Sequence, residues 1–144
     1  IRALYDVISG PVGAPRDWDR MRSLFAPDGR LIPTGQRPDG TGVYRTLSVE
    51  DYVRTNGPAL IELGFREHEI GRVTERFGSI AHAFSSYEAF RGGEADPFMK
   101  GINSIQLWHD GARWWILSVY WQQASERVPL PLRYGGTDVS GGGT

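Results

Sequence analysis

Residues 98–122, FMKGINSIQLWHDGARWWILSVYWQ, constrain this chain more than any other stretch. Asp110-Gly111 stands between two runs of alternating apolar residues, the strongest short-range signal for a β-hairpin. With that dipeptide as the turn, Met99, Gly101, Asn103, Ile105 and Leu107 share a face with Trp114, Ile116, Ser118 and Tyr120. Phe98, Ile102, Trp108, Trp115, Leu117, Val119 and Trp121 share the other. A strand pair with one wet side would show polar residues at every second position. Neither face does, so both sides of this hairpin must be covered.

The preceding chain supplies part of that cover. Ile1, Leu4, Tyr5 and Ile8 form one helical stripe, broken by GPVGAP at 10–15. Asp17 reads as the N-cap of a second helix whose buried stripe is Trp18, Met21, Leu24 and Phe25, ended by Pro27-Asp28-Gly29. Leu31-Ile32 and Val43-Tyr44 are short strand candidates joined by a Gly/Pro-rich loop. Ser48 with Asp51 resembles a capping box that opens a third helix running to Leu63, with Gly64 as its stop. Gly57-Pro58 should kink or split that helix. A second hairpin follows over 65–91, turning at Gly78-Ser79, which pairs Glu75 with His82 and Glu69 with Glu88. Its alanine-rich face (His68, Ile70, Ala81, Ala83, Ser85, Tyr87, Ala89) suits the close approach of helices. Its Phe/Glu face is then the outer one.

Helices followed by a four-stranded antiparallel meander make an α+β plan: a curved antiparallel sheet wrapped around three helices. Three helices cannot cover both apolar faces, so a homodimer through the outer sheet face is the simplest cover, seating Phe84, Phe90, Trp115 and Trp121. One domain over 1–134 is expected, then a flexible Gly-rich tail over 135–144.

A formal charge of −1, with no basic run, speaks against a nucleic-acid partner. No apolar run approaches the roughly 20 residues of a membrane span. The absence of cysteine rules out disulfide and thiolate chemistry but fits a reducing or an oxidising compartment. The sequence starts at Ile1 rather than Met, so cytoplasmic and exported locations both stay open. Three scattered histidines lack metal-ligand spacing, and no phosphate loop, nucleophile elbow or dinucleotide fingerprint is present. Neither a metal nor a cofactor is expected.

The order of elements resembles the NTF2-like superfamily, and within it the SnoaL-like branch. DWDRMRSLFAPDGRLIP (17–33), FREHEIGRV (65–73), IAHAFSSYEAF (80–90) and HDGARWWILSVYW (109–121) carry the likeness. The resemblance implies a cone-shaped α+β barrel of cystatin/NTF2-like type with an apolar pocket between helices and sheet. A weaker similarity is to scytalone-dehydratase-like members. Their Tyr-Asp pair on the first helix is matched by Tyr5-Asp6, and their early pocket histidine by His68 in HEIG. Their second histidine falls near Ala89, and their Ser-x-Asn pair near Asn103 and Ile105, where this chain departs from the pattern. Such folds host unrelated functions, so the site has to decide.

The expected pocket is lined by Tyr5, Trp18, Phe25, His68, Tyr87, Asn103, Ser118 and Tyr120. His68 is the candidate acid or base. Tyr5 offers a hydroxyl to a ligand oxygen or serves as a core tyrosine. Asp6 orients the histidine by family likeness, or sits at the surface because it points away from the apolar stripe. His82 with Glu75 forms a second carboxylate–imidazole pair, on the outer face. Two functional readings follow. One is a cofactor-free lyase or isomerase acting on a small apolar cyclic molecule by His68-assisted proton transfer. The other is a non-catalytic ligand-binding or dimerisation module, which a pocket closed by Trp18, Phe25 and Trp114 would favour.

Overall fold

The computed structural model describes residues 1–136. Most of the expected flexible tail, residues 137–144, lies outside them. The helices are α1 (Arg2–Ile8), α2 (Trp18–Leu24) and, after three strands, α3 (Val49–Leu63). The strands between are β1 (Phe25–Gln36), β2 (Gly42–Tyr44) and β3 (Leu47–Ser48). Then come the long hairpins β4 (Phe65–Phe77) with β5 (Ile80–Arg91), and β6 (Met99–His109) with β7 (Trp114–Gln123).

The helix ends follow their sequence signals. Asp17 accepts from the Arg20 amide at 3.0 Å and Ser48 from the Asp51 amide at 3.0 Å. Gly64 closes α3 at φ 62°, a conformation that costs a side-chain-bearing residue far more. Pro58 does not split α3, which runs unbroken through it. The carbonyl it deprives belongs to Arg54, and both residues are exposed, so water can take over the lost bond.

The seven strands form one large, unclosed sheet in the order β2-β1-β7-β6-β5-β4, with β3 on β1. It is mixed rather than wholly antiparallel, because β1 runs parallel to β7. The core lies between helices and sheet, where Leu4, Ile8, Met21, Phe25, Leu60 and Phe65 meet Ala89, Ile105, Ile116 and Val119. Ala83, Ser85, Tyr87 and Ala89 point into it, as expected of the alanine-rich face.

Two irregularities redirect half of each hairpin. Phe77 pairs with Ile80 and Glu75 with His82, as the Gly78-Ser79 turn requires. Between Glu69 and Gly71 the register shifts, so His68 pairs with Glu88 and Glu69 with Tyr87. Ile70 is the extra residue of a β-bulge, and one extra residue sends every earlier side chain of β4 to the opposite face. The expected Glu69–Glu88 pairing is thereby corrected. In the other hairpin the loop is four residues, Asp110–Arg113, closed by Asp110 Oδ1 accepting from the amides of Ala112 (2.7 Å) and Arg113 (2.9 Å). A bulge at Leu117 then pairs Gln106 with Ser118 and Ile105 with Val119. Val119 and Trp121 turn inward, while Ser118 and Tyr120 turn out.

After β7 the chain crosses the outer face and ends in a short 3₁₀ turn, Leu132–Tyr134. Tyr134, buried, packs edge-on against Phe84 at 6.1 Å. Among the described residues no helix is long and apolar enough to cross a membrane.

Candidate functional site

A cavity of about 180 Å³ lies between α1, α3 and the inner sheet face. Its walls are largely apolar: Leu4, Ile8, Met21, Leu31, Leu60, Phe65, Met99, Val119 and Trp121. Polar groups enter from α1 (Tyr5), α3 (Tyr52, Asn56), β4 (Glu67), β5 (Tyr87) and β6 (Asn103). On α3 the positions 52, 56 and 60 recur every fourth residue and so share one stripe over the sheet.

Glu67 is the site's ionisable group. Burial pushes its carboxyl up to about 7, while the amide of Asn103 beside it pulls the other way. Asn103, 6% exposed, donates from Nδ2 to Glu67 Oε1 at 3.3 Å and to Tyr5 Oη at 3.0 Å. Among the described residues no cation pairs with Glu67, so desolvation of the carboxylate goes uncompensated by an ion pair. A carboxyl near neutrality can both give and take a proton at pH 7.

A chain of hydroxyls leads outward from Tyr5. Its Oη lies 2.6 Å from Ser85 Oγ, and Ser85 donates to Glu69 Oε2. A serine has a single hydroxyl proton, so in that arrangement Tyr5 is the donor to Ser85. Glu69 in turn accepts from Arg72 Nη2 at 2.8 Å. Burial raises the Tyr5 phenol well above its ordinary range, so it stays protonated.

Three of the eight expected pocket residues come together. Tyr5, Tyr87 and Asn103 line the cavity. His68 does not: the bulge at Ile70 puts it on the outer face, exposed, stacked on Phe90 at 5.2 Å and 3.4 Å from Glu88. The same bulge brings in Glu67, a residue of the Phe/Glu face expected on the outside. Gly71, an isolated glycine in a strand, is the signal for it. Asp6 is exposed on the far side of α1. Trp18 rests against Gly57 of α3, and Phe25 is 2% exposed in the core; neither lines the cavity. Ser118 and Tyr120 lie outside through the Leu117 bulge, Ser118 donating to Gln106 at 3.4 Å and Tyr120 half exposed. Trp114 packs beside His109 at the hairpin end, so the three residues expected to plug the pocket leave it free. His82 and Glu75 do pair, at 3.7 Å, exposed on the outer face.

No family model matches this chain, and no curated protein does. Solved structures do. A protein from Nostoc punctiforme with a cystatin-like fold aligns at a TM-score of 0.59 and 16% identity, over 81% of this chain and 80% of its own. An NTF2-like protein from Pseudomonas putida aligns at 0.58 and 10% identity, over 85% and 83%. Another from Methylobacillus flagellatus aligns at 0.52 and 16% identity, over 86% of both chains. At such identities the likeness speaks for backbone architecture. What the chain shares with them is the fold, a cystatin-like α+β architecture of the kind these NTF2-like proteins have.

Proposed function

We propose that the cavity binds a small, largely apolar cyclic molecule and that Glu67 moves a proton on it, making the chain a cofactor-free isomerase or lyase of SnoaL-like type. The observation that carries this is a carboxyl poised near neutrality inside an apolar chamber, oriented by Asn103. In an isomerisation the Glu67 carboxylate takes a proton from a carbon beside a carbonyl, the electrons moving onto the carbonyl oxygen. The carboxylic acid then returns the proton to a carbon further along the conjugated system. Asn103 stays hydrogen-bonded to Tyr5 throughout, which fixes the carboxyl's position while its donated hydrogen bond favours the carboxylate form. Apolar cavities of about 150 Å³ accommodate benzene, so a chamber of 180 Å³ suits a single ring.

Cyclohex-3-enone is a suitable probe, followed by NMR as it converts to the conjugated enone with deuterium entering from solvent. Glu67→Gln should lower the rate by roughly 100-fold or more. His68→Ala should leave it within about twofold, since His68 faces away from the chamber. Full activity in the glutamine variant, or none in the unaltered protein, would overturn the reading.

Assembly as a homodimer through the outer sheet face belongs to the same proposal. Val73, Ile80, Phe84, Trp108 and Tyr120 lie exposed there, and a cluster of exposed apolar side chains is what an interaction surface presents. Trp121, expected in that interface, is instead in the cavity wall, edge-on to Tyr52 at 6.3 Å.

A further inference from the structure

A line of hydrogen bonds joins Glu67 to Glu69 by way of β6, α1 and β5, and its direction is set from the Glu69 end. Arg72 grips that carboxylate with Nε at 3.1 Å from Oε1 and 3.0 Å from Oε2, and with Nη2 at 2.8 Å from Oε1. A carboxylate so held only accepts. Ser85, fully buried, gives its single proton to Glu69 Oε2, which leaves its oxygen to accept from Tyr5 Oη at 2.6 Å. The Ser85 carbonyl, 3.5 Å from the same phenol, is the poorer acceptor. With its proton given to Ser85, Tyr5 can only accept from Asn103, whose Nδ2 lies 3.0 Å away. The same nitrogen donates to Glu67 Oε1 at 3.3 Å. An asparagine amide can face its neighbours with either end, and this line demands the NH2 end.

The same groups can be connected in the reverse sense. A donor at position 69 would hand a proton to Ser85, Ser85 to Tyr5, and Tyr5 to Asn103 with its amide turned. The Asn103 oxygen would then face Glu67 and accept from the carboxylic acid. One sense favours the carboxylate of Glu67, the other its acid. The remaining titratable groups offer no other handle. Around Glu67 stand only the phenols of Tyr5, Tyr52 and Tyr87, from α1, α3 and β5. Near Glu69 are Arg72, the Tyr5 phenol and the amino group of Ile1, while Arg133 of the 3₁₀ turn lies over the Tyr134 ring at 5.0 Å.

We infer that Glu69 is a positioning residue for Glu67: paired with Arg72, it fixes the sense of the hydrogen bonds through Ser85, Tyr5 and Asn103, so that Asn103 shows Glu67 an N–H and favours the carboxylate that takes a proton. The inference rests on the proton-transfer reading only for its effect on rate. Glu69 touches neither the chamber nor a ligand in it, and acts solely through the three residues between.

Glu69→Gln tests this, because the two ways it could act differ in sign. Arg72 has only donors, so it takes the oxygen of the new amide and leaves the NH2 for Ser85. Reversal of the line should move the Glu67 titration midpoint, read by carboxyl NMR, upward by about one pH unit or more. Mere loss of a nearby negative charge would move it downward. The acid limb of the cyclohex-3-enone rate profile should rise with the midpoint. Ser85→Ala cuts the line, and in that background Glu69→Gln should leave the midpoint within about 0.2 pH unit. Tyr5→Phe cuts it at the next link and should abolish the shift equally. A midpoint that falls or stays put in Glu69→Gln overturns the inference, as does a rise of the same size with the line cut. A midpoint near 7 that rises in Glu69→Gln, in a protein without exchange activity, would sink the catalytic reading and leave this one standing. Exchange that needs Glu67, with a midpoint indifferent to Glu69, would do the opposite.

Discussion

Glu67 and His68 are neighbours in sequence and sit on opposite sides of the sheet, and their pH behaviour should differ accordingly. Folding raises the Glu67 carboxyl from an ordinary 4.5 to about 7, so the folded chain holds a proton that the unfolded chain releases earlier. A group raised in this way contributes stability that is complete below pH 4.5 and lost as pH climbs through 7. The loss over that window is roughly 3 kcal/mol. Glu67→Gln should therefore match the parent near pH 4.5 and be the more stable protein at pH 8, as read from denaturant midpoints at the two pH values. A parent whose stability is flat across that window would contradict the assignment. Arg16 is a different kind of buried charge. Its guanidinium, 7% exposed, donates only to carbonyls, those of Ile8 (3.1 Å), Ala14 (2.6 Å), Gly10 (3.0 Å), Leu60 (3.1 Å) and Phe65 (3.5 Å). It ties the end of α1 to the end of α3. Nothing in GPVGAPR distinguishes it from a surface arginine, because its partners are backbone groups that converge only after folding.

Caps and turns are written in local chemistry, which is why Asp17, Ser48, Gly64 and the Gly78-Ser79 turn were legible without a structure. Face parity is not local. It survives along a strand only until a residue is inserted, and both long hairpins contain one insertion, at Ile70 and at Leu117. Every site residue misplaced by alternation lies beyond one of these two points: His68 before the first, Ser118 and Tyr120 after the second. Gly71 gave notice of the first bulge, while no residue near Leu117 gave notice of the second. Gly71 is also where the crossing segment comes closest. A Cβ there would stand 3.0 Å from Ser86 Oγ and 3.3 Å from the Arg133 carbonyl oxygen and the Tyr134 Cα. Gly71→Val should displace that segment, expose Tyr134 and lower stability by about 1–3 kcal/mol, seen as a reduced denaturant midpoint with enhanced tyrosine quenching. Unchanged quenching would show that the segment does not depend on this contact.

On the scale of the whole molecule, the two apolar faces of the sheet have different fates. The inner face is covered by α1–α3 and encloses the chamber; among the described residues the outer face is covered only where residues 128–134 cross it. The proposed dimer should sediment at twice the 16.1 kDa of the chain, and Trp108→Glu or Phe84→Glu should return it to a monomer with the fold retained. A monomer at micromolar concentration would leave the outer face for another partner. The chamber carries the account's central claim: a buried carboxyl on β4, turned inward by a single extra residue, is the proton-handling group. The direct measurement is an NMR titration of the Glu67 side-chain carboxyl, assigned by its loss in Glu67→Gln. A midpoint near 7, moving when a ring ketone is bound, is the expected result. A midpoint at or below 4.5, the value of an exposed glutamate, would contradict it.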